Sequence, residues 1–231
     1  MSEESTKTRS VRTLEFIDTY FGGSVIDIGA GNDPVVKHAE IFDLNHGDAQ
    51  FILNYREKET YDCVNSSHCL EHMHDVPAAF EQWWGLVKPG GYMVIVVPHE
   101  DLYEQRVWPS LFNSDHKATF RINKENTWSS SSYEIMSLIK SLPNAILISA
   151  EIQDKNYDYA LQGKKLSKFS LKIYKWKMRT NNRTKKFISN IFYRFLYKNF
   201  WIKSNNSSGS PVDQTLDDAM AQIQVVLQKA A

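Results

Sequence analysis

Residues 25–34 read VIDIGAGNDP: an apolar run takes up one acid, Asp27, and breaks at Gly29-Ala30-Gly31 before a proline. A strand that ends in Gly-x-Gly lets the backbone come close to a ligand, because neither glycine carries a Cβ. A dinucleotide site asks for a third glycine and for an acid about 20 residues later. Here Pro34 stands at the third position, and Asp43 follows Gly31 by only 12 residues. Both departures weaken the dinucleotide reading. Another nucleoside cofactor and a plain strand-to-helix turn stay open at this point.

Imidazoles supply a second chemistry. His68 and His72 stand in SSHCLEH, His99 opens a polar-aromatic loop, and His116 lies between Asp115 and Lys117. A histidine tuned by a carboxylate is a general base near neutral pH. On that ground His116, beside Asp115, is the first candidate base, with His72 and His99 after it. Asp101, Tyr103 and Glu104 with Lys117 read as an acceptor pocket, since polar groups among aromatics suit a hydroxylated ligand such as a sugar. The His/Asp spacing matches no metal-ligand set, and no metal is expected. Cys63 and Cys69 form no Cys-x-x-Cys and read as reduced cytosolic thiols.

The elements that must position these groups follow from periodicity. The chain has 231 residues, 42% of them hydrophobic, which suits one α/β domain with additions. TKTRSVRTLEFIDTY predicts an opening helix ended by Gly22-Gly23. SVIDI is a buried strand, and Asn32, Asp33 and Pro34 supply the cap and first turn of a brief helix. AEIFDL, AQFIL and YDCVNSS follow as strands two, three and four. HDVPAAFEQWWGLV is a helix with Asp75 at its cap, and KPGG turns the chain into a fifth strand, YMVIVV. Beyond the loop, SSYEIMSLIKSL is a helix, AILISAEI a strand, and AQIQVVLQK a last strand that returns to the sheet. Alternating strands and helices predict a parallel sheet covered on both faces.

The net charge of zero conceals a segregation. Residues 1–158 carry 13 basic and 24 acidic side chains, whereas residues 159–212 carry 13 basic ones and no acid. That block falls between the last two strands, so it reads as an insertion in a single domain spanning residues 1–231. Its run KKFISNIFYRFLYKNFWIK places Phe, Ile and Leu on a broad helical stripe. Internal packing or a second subunit, an anionic membrane surface touched through residues 185–203, and nucleic acid are its three readings. No run reaches the roughly 18 apolar residues of a membrane span, and the polar start MSEESTKTRS lacks the centre of a secretory signal. A cytoplasmic protein, associated or not with the inner face of the membrane, is expected.

The order of the motifs goes further than any one of them. An acid precedes the first glycine by two residues, Asp43 closes strand two, Gly47-Asp48-Ala49 leads towards Tyr61-Asp62, and SSHCLEH and LVKPGGYMVIVVP follow. Together they resemble the class I S-adenosylmethionine-dependent methyltransferases, in the small-molecule branch with Leu-Glu-His after strand four. The resemblance covers residues 11–98 and extends into later segments; the basic insertion has no counterpart in it. It implies an α/β, Rossmann-like doubly wound sheet, mostly parallel with an antiparallel last strand, and a basic helical insertion before that strand. It also implies S-adenosylmethionine as cofactor. Asp27, Gly29, Ala30 and Gly31 would cradle the methionine part, Asp43 with Leu44 the ribose, and Asp48 with Ala49 the adenine. Ser67 and His68 would complete that pocket, while Glu71 and His72 would either act in catalysis or position the following helix. The implied reaction is in-line methyl transfer to oxygen on a small-molecule or carbohydrate acceptor, a surface glycan or its precursor, with a homodimer as one assembly. An RNA methyltransferase and a catalytically silent partner subunit are the rivals. NSSH stands where an Asn-Pro-Pro-Tyr type motif would favour base amines.

Overall fold

The computed structural model describes residues 4–162 and 211–231. Four apolar runs become parallel strands: β1 (Val25–Ile28), β2 (Glu40–Phe42), β3 (Tyr61–Ser67) and β4 (Val87–Pro98). Two further strands, β7 (Ala145–Gln153) and β8 (Gln222–Lys229), complete one six-stranded sheet in the order β2-β1-β3-β4-β8-β7. β8 comes last in the chain but sits between β4 and β7, antiparallel to both. Its run from Gln222 to Leu227 is wholly buried, as a central strand requires. The fold is therefore the expected mostly parallel α/β sheet with an antiparallel last strand. A separate parallel pair, β5 (Thr119–Arg121) and β6 (Ser132–Glu134), braces the loop after β4.

Helices cover both faces. On one, α3 (Val76–Gly85) buries Phe80, Trp83 and Trp84 against Leu86, Met93 and Ile95. Asp75 caps it by accepting from the Ala78 amide at 3.1 Å. Each buried indole keeps a partner: Trp83 donates to the Ala49 carbonyl and Trp84 to that of Pro143, both at 2.8 Å. On the other face, Phe21 of α2 (Leu14–Phe21) packs with Val25, Val35, Cys63 and Val226. α4 (Ile135–Lys140) starts where Glu134 accepts from the Ser137 amide. Both cysteines are free thiols.

Several local expectations are corrected. The opening helix is two, α1 (Glu4–Arg9) and α2, because Thr13 restarts the chain by accepting from the Phe16 amide. No helix follows β1. Asp33, expected as part of a cap, instead takes Arg9 and the Thr6 hydroxyl, and Arg9 also donates to the Pro34 carbonyl. AQFIL is a 3-10 helix, Ala49–Asn54, with Asp48 accepting from the Gln50 amide, so β2 is the sheet edge. KPGG lies inside β4, with Gly90 at φ +80°. The helix expected over SSYEIMSLIKSL gives its start to β6. In chain order the basic block falls between β7 and β8, and its helical stripe, including residues 185–203, lies outside the described residues. Among the described residues no helix is long and apolar enough to cross a membrane.

A buried acid on β1, next to the edge strand, ties these pieces together. Asp27 is 1% exposed, and its two oxygens accept from the Val35 amide and from Asn65 Nδ2, each at 2.6 Å. Burial pushes its carboxyl up to about 6 despite those donors. Folding therefore takes up a proton on Asp27 between about pH 4 and pH 6. The group's contribution to stability is full below that window and falls as pH rises through it, by roughly 1.4 kcal/mol for each pH unit crossed. Asp27→Asn should flatten this decline; unfolding free energies measured by urea across pH 4–7 check it.

Candidate active site at the carboxyl ends of the strands

The loops that leave β1, β2 and β3 enclose a cavity of about 320 Å³. In an open parallel sheet this is the ligand-binding end. Gly29 turns there at φ +79° and donates to the Phe42 carbonyl at 2.8 Å. A Cβ on Gly29 would lie 2.6 Å from Cβ of Cys69, so the glycine is demanded by the close approach of the loop after β3. Gly31, at φ +57°, donates its amide to Asp43 Oδ2 at 2.9 Å, and Leu44 donates to Oδ1 at 2.7 Å. Each Asp43 oxygen keeps acceptor capacity beyond its one amide. Leu44 beside it is 90% exposed. Asp48 and Ala49 form the next stretch of wall, held in place through Trp83.

Imidazoles and carboxylates gather at one end. The short 3-10 helix Leu70–His72 places Glu71 inward, fully buried, and His72 on the cavity wall. The amides of Lys117 and Ala118 both donate to the Glu71 carbonyl, at 2.8 and 3.1 Å, which docks the His116 loop on this turn. His116 Nδ1 then meets Glu104 Oε1 at 2.7 Å, and its Nε2 lies 3.8 Å from Glu71 Oε1. His68 Nδ1 is 3.4 Å from the same Glu71 oxygen, and His68 Nε2 reaches Gln222 Oε1 of β8 at 2.9 Å. His72 Nδ1 lies 3.0 Å from Asp115 Oδ2, and its ring stands edge-on to that of His116 at 5.1 Å. Burial opposes ionisation of Glu71, yet the contact with His68 and the charges of His116 and His72 hold its carboxyl below the usual range. Glu104 goes the other way: burial raises it, and its bond to His116 only offsets part of that.

The expected site residues separate into groups. Gly29, Asp43, Leu44, Asp48, Ala49, His68 and His72 line the cavity. Asp27, Ala30, Gly31 and Ser67 do not line it; Asp27 and Gly31 act behind it by holding the loop and Asp43. His116 is buried beside the wall. Its carboxylate is Glu104 rather than its neighbour Asp115, because the Asp115 amide donates to Asn113 Oδ1 in a turn and the Asp115 carboxylate reaches His72. The loop grouped as an acceptor pocket divides. Tyr103 packs on His116 at 5.2 Å and Glu104 bonds it, whereas Asp101 takes Lys124 at 2.7 Å and Trp128 Nε1 at 2.9 Å. His99 Nδ1 accepts from the Asp101 and Leu102 amides, so it shapes that loop, and burial lowers its pKa. Lys117 pairs with Asp115 at 3.3 Å. Phe42, Gly47, Cys69, Met73 and Asp115 also line the cavity and were not expected as wall residues. Only Phe42 and Gly47, which flank the Asp43-Leu44 segment, carried a signal.

A family model described as a methyltransferase domain matches residues 9–134, more than half of the chain. Among solved structures, the chain is similar to an S-adenosylmethionine-dependent methyltransferase from Archaeoglobus fulgidus, with 16% identity, a TM-score of 0.47, and 99% of this chain and 95% of that chain covered. It is similar also to an S-adenosylmethionine-dependent methyltransferase from Thermotoga maritima, at 13% identity and TM-score 0.47 over 98% of this chain and 87% of that one. The YcgJ protein from Bacillus subtilis matches at 11% identity and TM-score 0.45 over 90% and 92% of the two chains. No curated protein matches the chain.

The contact between Gly29 and Cys69 gives a direct test of the cavity floor. Gly29→Ala should lose about 1–3 kcal/mol of stability, from the left-handed φ and from the overlap with Cys69. Cys69→Gly in the same chain should restore part of that loss, measured by chemical denaturation.

Proposed function

The chain belongs to the methyltransferase-domain family; from that premise we propose that it uses S-adenosylmethionine as cofactor and methylates an oxygen of a small hydroxylated acceptor. A carbohydrate of a surface glycan, or its precursor, is the acceptor class this reading favours. The observation that carries it is the cluster of Glu71, His72, Glu104, Asp115 and His116 at the cavity. A hydroxyl must lose its proton as it is methylated, and paired imidazoles and carboxylates are built to receive one.

The residues present fit the cofactor. Asp43 offers two carboxylate oxygens, fixed by backbone amides, to a vicinal diol. Phe42, exposed Leu44 and Ala49 supply apolar wall for a flat ring. When bound, the cofactor supplies a methyl already activated on a sulfonium. The chain's own task is then to align the acceptor, exclude water and manage one proton. Alignment is worth about 7–11 kcal/mol at best.

His72 is the base in this reading, because it lines the cavity and Asp115 holds its Nδ1. His116, set behind it by Glu104 and Tyr103, keeps Glu71 and His72 in place. The basic aromatic run at 185–203 adds a membrane-surface contact suited to a lipid-linked acceptor, and self-association belongs to the same proposal.

Calorimetric titration with S-adenosylmethionine and its demethylated product, with NAD as control, should give micromolar binding for the first two alone. Asp43→Ala should weaken that binding about 10–100-fold by removing charged hydrogen bonds. His72→Ala should leave cofactor affinity in place and lower turnover of a true acceptor by about 10²–10⁴. Unaltered affinity in the first variant, or unaltered turnover in the second, rejects the corresponding assignment.

A further inference from the structure

The polar cluster contains an imbalance that the hydrogen bonds leave standing. Glu71 is fully buried, and neither of its carboxylate oxygens has a hydrogen-bond partner. Nearest to it are nitrogens at 3.4 Å (His68 Nδ1) and 3.8 Å (His116 Nε2), beyond the reach of a well-formed hydrogen bond. His116 Nδ1 is taken by Glu104 at 2.7 Å. That bond orients the ring so that Nε2 faces the Glu71 carboxylate across 3.8 Å. A buried carboxylate faced by ring nitrogens on two sides, without a well-formed hydrogen bond to either, has the donor set and the spacing of a cation site.

We infer that Glu71, His72 and His116 form a binding site for a divalent transition-metal cation. One carboxylate oxygen of Glu71 and one nitrogen from each histidine lie within 4.8 Å of one another. Ligand atoms around a tetrahedral ion sit about 3.3 Å apart for bonds near 2.0–2.1 Å, so the 3.8 Å between Glu71 and His116 closes with a small side-chain rotation. Two imidazoles and one carboxylate select zinc, cobalt, iron or manganese over magnesium and calcium, which prefer all-oxygen cages. Three protein ligands leave positions open, as in sites that bind a water or a substrate oxygen.

The surrounding contacts have the form that metal sites require. A ligating histidine normally passes its other ring N–H to a carboxylate, which orients the ring and raises its basicity. His116 does so to Glu104, and His72 Nδ1 faces Asp115 at 3.0 Å. The ligands come from the turn after β3 and from the loop docked on it by two amides to the Glu71 carbonyl, so they are assembled without the ion. His68 borders the same Glu71 oxygen and is tied to Gln222 on its far side.

This inference deepens the proposed reaction and rests on it only for the acceptor. With the cation bound, His72 serves as a ligand, and a hydroxyl coordinated at an open position loses its proton to water because the ion lowers its pKa. Without the cation, His72 takes that proton itself.

Binding is measured apart from activity. Full-length protein is treated with a chelator, then titrated with Zn²⁺, Co²⁺, Mn²⁺ and Mg²⁺ by calorimetry. One Zn²⁺ or Co²⁺ per chain at micromolar affinity or better, with Mg²⁺ far weaker, is expected. Glu71→Gln and His116→Ala should each weaken Zn²⁺ binding by about 100-fold or more, and Glu104→Gln by about 10–100-fold. His74→Ala, at an exposed position, should bind as the parent does. Should a ligand variant fail to fold, the wild type still decides: Mn²⁺ should broaden the imidazole resonances of His72 and His116 before those of His38 and His46. No binding to the chelated wild type, binding that survives Glu71→Gln and His116→Ala, or broadening centred on other histidines overturns the site. Cofactor titration on the same preparations separates this outcome from a failure of the methyltransferase reading, since the Asp43 contacts lie outside the metal ligands.

Discussion

A carboxylate with no access to water has to be compensated by its surroundings, and in this protein Glu71 imposes that condition on everything near it. Its charge is held by imidazoles from both sides, His68 from the end of β3 and His116 from a loop some 45 residues later. The loop is fixed by backbone bonds to the same residue's carbonyl. Side chain and main chain of one residue thus decide where His72, His116, Glu104 and Asp115 sit. Removing the charge would leave three histidines without their common partner, and moving the loop would bare the charge. Such networks are costly when partly satisfied, which ties the position of this end of the cavity to the integrity of the cluster.

The glycine-loop end of the cavity rests on a different constraint, steric rather than electrostatic. Cys69 fills the place where a Cβ of residue 29 would stand, so the β1 and β3 loops approach as closely as backbone permits. Asp27 locks the segment beyond the Gly loop from below, and Trp83 pins Ala49 from the helix face. Asp43 in turn uses the Gly31 amide to aim its carboxylate. The cavity is therefore bounded by three loops, each held by a contact that originates in the core.

Much of the fold was legible in the chain because its strands are short apolar runs bounded by turn residues, and α3 has a cap, an early proline and an apolar face. Two of the errors come from partners brought in by the fold. Asn32, Asp33 and Pro34 have the composition of a helix start, but Arg9 and Thr6 of a distant helix claim Asp33 first. AQFIL has the composition of a strand, yet Asp48 caps it into a 3-10 turn beneath Trp83. Local propensity is a weak prior where a long-range partner competes for the same groups.

Read alone, the chain carries the six strands of the main sheet, the glycine turn, the acids at the strand ends and the family to which these motifs point. Those features are local: they depend on periodicity, on backbone freedom and on residues a few positions apart. Only the tertiary structure decided which carboxylate serves which histidine. Adjacency paired Asp115 with His116, whereas folding gave Glu104 to His116 and Asp115 to His72. Folding also spends Asp101 and His99 on their own loop, and buries the Glu71 carboxylate without a hydrogen bond at the meeting point of three rings. The physical reason is that electrostatic partners are chosen by distance in space and by desolvation, and a linear chain specifies neither until the sheet has brought its loops together.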